Sequence, residues 1–311
     1  MNPLKDTGRY TLLGILAILF WSTSIGLGRA LTEQVGTFRA ACSIYLLGGL
    51  IACAVSLWQD TSLLSQTQLG PKYLLGCGGL FAAYMVCLYL AIGFSQDRRQ
   101  TVTVGLINYL WPALTLILAV PIQKRPARGL MLLSGVALAL FGIYLSIGSL
   151  GSSFSPISLP QPGHANGPYW LALAAAVLWA LYSNLSRRWG KAQGCDAVPV
   201  FILATGIILL PLKLGITEEA HWTRGAILHL TYLAVVPTFL AYIFWDKAVR
   251  KGNFVLVASF GYLTPLLSTW ISVIYLRVNA GLRLWVACVL VVSGAVICNW
   301  AFKQRDRARP L

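Results

Sequence analysis

Charge is what this chain has least of. Of its 311 residues only 11% are Asp, Glu, Lys or Arg, and nine are acidic, where a soluble domain carries about 25% charged residues. With 57% hydrophobic residues, its apolar surface exceeds what one soluble core hides from water. That excludes an ordinary cytosolic enzyme, a disordered regulator and a secreted disulfide scaffold. Cysteine offers neither a framework nor a zinc site: Cys42, Cys53, Cys77, Cys87, Cys195, Cys288 and Cys298 make an odd total, include no CxxC and mostly sit inside apolar runs. His164, His221 and His229 lack HExxH or other metal-ligand spacing, so no metal and no cofactor is expected. Phosphate loops of the Walker type are missing, which argues against ATP drive. No run of five basic residues occurs, and the net charge of +15 lies in short gaps between apolar stretches. It reads as a topology signal and not as a nucleic-acid surface.

What fills the chain is long apolar runs. Crossing about 30 Å of hydrocarbon takes about 20 helical residues, and ten such stretches stand between turn or charge punctuation. They run Tyr10 to Ala30, Gly36 to Trp58, Tyr73 to Gly93, Thr101 to Val120, Gly129 to Ile147, Pro168 to Arg187, Ala197 to Leu214, Ala226 to Asp246, Phe254 to Leu276 and Leu282 to Phe302. They are continuously apolar, which predicts helices; barrel strands would alternate. The first run, preceded by Lys5 and Arg9, lacks a convincing small-x-small cleavage site and is kept as a helix. With ten spans both termini share a side, and that side collects 16 of the 24 basic residues, leaving 8 opposite. The positive-inside rule places both termini in the cytoplasm. The longest loop, Gly148 to Gly167, has no charged residue and many Gly, Ser and Pro, and is expected to be a flexible joint on the outer face.

Shifted on itself by 158 residues, the sequence lays Leu19-Phe20-Trp21 over Val177-Leu178-Trp179 and Arg29 over Arg187. A shift of 153 lays Asn108-Tyr109-Leu110-Trp111-Pro112 over Gly261-Tyr262-Leu263-Thr264-Pro265 and Lys124 over Arg277. Each half then holds five spans, an odd number, so the halves are inverted relative to one another, as in many secondary transporters. The expected organisation is a five-helix repeat over 1–147, a linker over 148–167, an inverted repeat over 168–302 and a basic tail over 303–311. Duplication kept only because it builds a stable bundle is the alternative reading.

Trp58, Trp170, Trp189, Trp222, Trp245, Trp285 and Trp300 sit near span ends, where interfacial belts collect Trp. Trp21, Trp111 and Trp179 fall near span centres, where an indole N–H needs a partner. Gly14, Ala17, Trp21, Ser24 and Gly28 share one face of the first helix, and Ala172, Ala175, Trp179, Tyr182 and Ser186 repeat that stripe in the sixth. Gly105, Asn108, Pro112 and Thr115 form a further face, mirrored by Ala258, Gly261, Pro265 and Ser268. Small residues also serve close helix packing without any ligand. Pro112 and Pro265 each withhold a helix hydrogen bond near midspan, leaving a carbonyl free for a substrate ammonium group or making a hinge. Pro237, with Phe239 and Tyr242 on one face, is placed to do the same. Tyr84 is a further central residue; Tyr89 points about 140° away from it on the same helix. The expected substrate-binding set is Trp21, Tyr84, Asn108, Tyr109, Trp111, Trp179, Tyr182, Phe239, Tyr242 and Tyr262, with Pro112, Pro237 and Pro265 as hinges. No span has a carboxylate or histidine at its centre, and Asp246 lies at a span end beside Lys247. Facilitated, gradient-driven movement is therefore expected.

Leu19-Phe20-Trp21-Ser22-Thr23, Asn108-Tyr109-Leu110-Trp111-Pro112 and Ser259-Phe260-Gly261-Tyr262-Leu263-Thr264-Pro265 together resemble the EamA-type transporters of the drug/metabolite transporter superfamily. The resemblance covers nearly the whole chain and implies an all-α polytopic protein, a ten-helix basket of two inverted five-helix repeats around a central cavity in the bacterial inner membrane. It implies export of aromatic and other apolar amino acids by alternating access, and a proton-coupled drug or metabolite efflux transporter is the alternative. The partners implied are an amino acid and the lipid bilayer, with no nucleic acid, no obligate protein partner and a monomer as the simplest assembly. Met85 follows Tyr84 where such exporters can carry a glutamate, which counts against carboxylate-based proton coupling. A nucleophile, a metal cluster or a paired acid and base, which a membrane-embedded enzyme would need, is not found, so the chain is not read as an enzyme.

Overall fold

A computed structural model describes residues 3–58, 70–124, 127–148, 166–189, 197–251 and 260–306. Apolar runs of this length, with no water to serve their peptide groups, satisfy themselves as helices, and among the described residues no strand occurs. The helices are α1 (Pro3–Val35), α2 (Thr37–Trp58), α3 (Gly78–Gly93, entered through a π-helical turn, Lys72–Cys77), α4 (Arg98–Asn108), α5 (Trp111–Gln123), α6 (Gly129–Gly148) and α7 (Gly167–Trp189). They continue as α8 (Val198–Gly215), α9 (Arg224–Leu233), a π-helical turn (Ala234–Leu240), α10 (Ala241–Lys251), α11 (Thr264–Tyr275) and α12 (Leu282–Asp306). Among the described residues nine helical stretches are long and apolar enough to cross a membrane. The start of the expected ninth span, from Phe254, most of the expected linker and the end of the basic tail lie outside the described residues. Residues 303 to 306, expected in the tail, continue α12.

The fourth span departs from the expected continuous helix. α4 ends at Asn108, the chain turns through Tyr109 and Leu110, and α5 begins at Trp111. Leu110 N–H donates to the Ile107 carbonyl at 3.0 Å, and Pro112, which has no N–H to offer, falls in the first turn of α5, where none is needed. The ninth span repeats this: a turn at Tyr262 and Leu263, Leu263 N–H to the Phe260 carbonyl at 2.9 Å, and Pro265 in the first turn of α11. Both of these helices also finish alike. Lys124 (φ 52°) and Arg277 (φ 53°) are the non-glycine residues in the left-handed region among those described, and they stand 153 residues apart.

Packing follows the same exchange of halves. α2 lies on α8 and α6 on α12, each pair its own counterpart; α3 on α7 is matched by α1 on α10, and α5 on α7 by α1 on α11. Glycine lets the self-paired helices approach. A Cβ on Gly49 would meet the Leu203 backbone at 2.5 Å, and one on Gly206 the Leu46 N–H at 2.6 Å. On α6 and α12, Gly135 and Gly294 face each other as closely. The flanks that face away carry bare apolar side chains, such as Leu130, Leu133, Phe141, Trp270 and Ile274, as lipid contact requires.

One end of the bundle is tied by charge. The chain turns from α1 into α2 through Gly36 (φ 85°), a conformation glycine adopts without strain. Glu218, from the loop between α8 and α9, accepts the Phe38 and Arg39 N–H groups at 3.0 and 2.9 Å and so caps α2 from outside its own half. Buried Arg29 donates to the Ile92 and Ser95 carbonyls and to Glu33, whose other oxygen takes Arg98 at 2.7 Å. Arg98 in turn reaches the Leu276 carbonyl at 3.2 Å. One carboxylate thus joins α1, the α3–α4 loop, α4 and the end of α11.

Candidate functional site

Between the halves lies a cavity with about 790 Å³ of space not filled by protein atoms, the open solvent at its mouth included. α1 gives it Ile18, Trp21, Ser24 and Ile25; α2 gives Tyr45; α3 gives Tyr84, Met85, Leu88, Tyr89 and Ile92. The broken fourth span contributes Asn108, Tyr109 and Trp111, the eighth span Pro237, Thr238, Tyr242 and Trp245, and the ninth Gly261 and Thr264, with Trp179 from α7. No charged side chain lines it among the described residues.

Trp179 is the hub of its wall. Its ring centroid stands 4.8 Å from Tyr84, 5.9 Å from Tyr242 and 6.3 Å from both Trp21 and Trp111, the two tryptophans meeting it edge-on. Trp21 and Trp111 also contact Trp245, at 5.2 and 6.5 Å. Such offset and edge-to-face pairs are worth about 0.5–1.5 kcal/mol each beyond buried area, so the rings hold one another as a preformed surface. Trp21 finds the partner its midspan position requires: its Nε1–H donates to the Pro237 carbonyl at 3.1 Å. Pro237 sits inside the π-helical turn of the eighth span, so this bond ties that turn to α1. The Tyr45 and Tyr242 hydroxyls point at the Met85 sulfur, at 3.1 and 3.6 Å.

Of the expected residues, Trp21, Tyr84, Asn108, Tyr109, Trp111, Trp179, Pro237 and Tyr242 come together on this wall. Tyr182 stands one layer behind, against Trp179 at 5.0 Å and Phe81 at 5.5 Å. Phe239 is buried away from the lining, and Tyr262, Pro112 and Pro265 lie in or beside the two span breaks without lining the cavity. Two expectations are corrected. Tyr89 is on the wall with Tyr84, because α3 presents an arc running through Tyr84, Leu88, Ile92, Met85 and Tyr89; the 140° between the tyrosines is the width of that face. Trp245, expected in an interfacial belt, packs on Trp21, and its spacing after Thr238 and Tyr242 is the helical signal that places it there. Tyr45 and Thr264 were not anticipated; Thr264 was legible as the counterpart of Trp111.

Two matching halves, a cavity between them where spans four and nine break, and apolar flanks are the plan of a transporter. The profile of the EamA-like transporter family matches residues 8–148 and 167–300. The chain belongs to that family. This EamA-like transporter is similar to the aromatic amino acid exporter YddG of Salmonella typhimurium, 28% identical over 95% of this chain and 98% of that one. It is similar to YddG of Escherichia coli at 29% identity, again over 95% and 98%. A solved crystal structure, 27% identical, matches it with a TM-score of 0.67 over 96% of this chain and 99% of the other.

Proposed function

We propose that this EamA-like protein is a secondary transporter that exports aromatic and other apolar amino acids across a bacterial inner membrane. The observation that carries the reading is the cavity itself: uncharged along its described lining, walled by Trp and Tyr, and set between two repeats. An aromatic side chain gains stacking on such a wall, and a zwitterion brings no net charge into it, which an isolated cation or anion would. The first repeat takes residues 1–147 and the second 168–302, joined across 148–167. Rocking of one against the other opens the site to each side in turn. Both termini face the cytoplasm, so the end tied by Arg29, Glu33 and Arg98 is the outer one. Movement is facilitative: among the described residues no carboxylate lines the cavity to serve the proton relay that coupled carriers use.

The test is efflux of radiolabelled phenylalanine from liposomes holding only this protein, with tryptophan, threonine and a lipophilic cation as competitors. Saturable efflux without a proton gradient, slowed by the amino acids, is the expected result. Efflux of the cation alone, and only under a pH gradient, would replace the proposal with proton-coupled drug efflux.

A further inference from the structure

Asn108 is only 3% exposed, yet its side-chain oxygen has no hydrogen-bond partner among the described residues. It sits on the cavity wall, with Tyr84 beside the same amide. A buried, unsatisfied amide oxygen costs stability and persists where something else uses it. Local structure does not need it. The ninth span makes the same turn and the same restart with Gly261 at the matching position. Among the described residues the lining carries no negative charge, and it offers acceptors: Pro112 and Pro265 withhold the N–H groups that would have met the carbonyls of Asn108 and Gly261, both residues of the wall.

We infer that Asn108 is the residue that recognises the substrate's ammonium group, its amide oxygen accepting from the ammonium beside the carbonyl ends of the two broken spans. This rests on the amino acid reading above. An ammonium group supplies the donors that the amide oxygen lacks, and neutral acceptors suit a zwitterion better than a free cation, whose charge they would leave uncancelled.

Three probes that share one ring separate this role from general damage to the cavity: phenylalanine, phenethylamine, which lacks the carboxylate, and 3-phenylpropanoate, which lacks the ammonium. Binding to the purified full chain is measured for the wild type and for Asn108→Val. The expected result is a loss of roughly ten- to a hundredfold for phenylalanine and phenethylamine, the range of a hydrogen bond to a charged group, with 3-phenylpropanoate unchanged. Asn108→Asp is expected to shift preference toward phenethylamine, a gain that a misfolded variant does not produce. Equal loss for all three probes, or no loss for phenylalanine, overturns the assignment. If the wild type does not bind phenylalanine, the amino acid reading falls as well; if it binds phenylalanine and Asn108→Val weakens all probes alike, only the assignment of Asn108 falls.

Discussion

Asn108-Tyr109-Leu110-Trp111-Pro112 and Gly261-Tyr262-Leu263-Thr264-Pro265 stand 153 residues apart, turn at the same two positions and restart a helix at the same one. The first presents an amide, a phenol and an indole to the cavity; the second presents a hydrogen atom and a hydroxyl. Backbone geometry in the two repeats is therefore shared, while side-chain chemistry is lopsided. On the proposed function, rocking calls for matched hinges, while an amino acid with two different ends is best held by two different surfaces. The rims differ as well. Arg29, Glu33, Asp97 and Arg98 occupy one end; in the sequence, the positions 158 or 153 residues further on are Arg187, Lys191, Arg250 and Lys251. Only the first set contains the acid that draws cations together.

Breaking that comparison at its strongest point means exchanging the unlike pair. Asn108→Val is expected to weaken phenylalanine binding roughly ten- to a hundredfold. Gly261→Ala, whose new methyl meets nothing within 4 Å among the described residues, is expected to change it less than about twofold; equal losses in saturation binding would show that both breaks serve the ligand alike. Next in size is the wall. Trp111→Ala removes one stacking surface and is expected to raise the phenylalanine KM in liposomes about threefold to tenfold. Tyr182→Phe, one layer back, is expected to leave it within about twofold. Unchanged transport in Trp111→Ala at normal membrane levels would remove Trp111 from the site.

Stability offers a third contrast. Glu33→Gln leaves Arg29, 8% exposed, without its carboxylate and is expected to cost about 1–3 kcal/mol, read as an earlier melt of the purified protein. An unaltered melt would show that the two carbonyls already holding Arg29 suffice. The smallest effect is the symmetric one. Lys124→Gly and Arg277→Gly each relieve a left-handed side-chain residue and are expected to shift stability by less than about 1 kcal/mol, in the same direction. Opposite signs would mean that the two helix ends are not equivalent.

Long apolar runs with punctuation at both ends made the spans legible, and the Asn-Tyr-Leu-Trp-Pro match made the duplication legible. The break in span four was harder to foresee. A proline in an apolar run reads as a kink, and only the turn at Tyr109 and Leu110 shows that Pro112 starts a helix instead of bending one. Central tryptophans pointed to the wall because an indole in hydrocarbon needs a partner, and Trp21 has one. Trp245 was misplaced because distance from a span end says nothing about facing; its face was written in Thr238 and Tyr242. Tyr45 could not be found that way, since which side of α2 faces the cavity is set by glycine contacts with α8, a tertiary fact.

The most direct measurement is equilibrium binding of tritiated phenylalanine to the purified protein, with Trp111→Ala alongside. Saturable binding by the wild type, displaced by tryptophan and weakened about threefold to tenfold in the variant, is the expected result. Saturable binding that Trp111→Ala leaves untouched, or no saturable binding at all, would contradict the claim that this aromatic cavity holds the substrate.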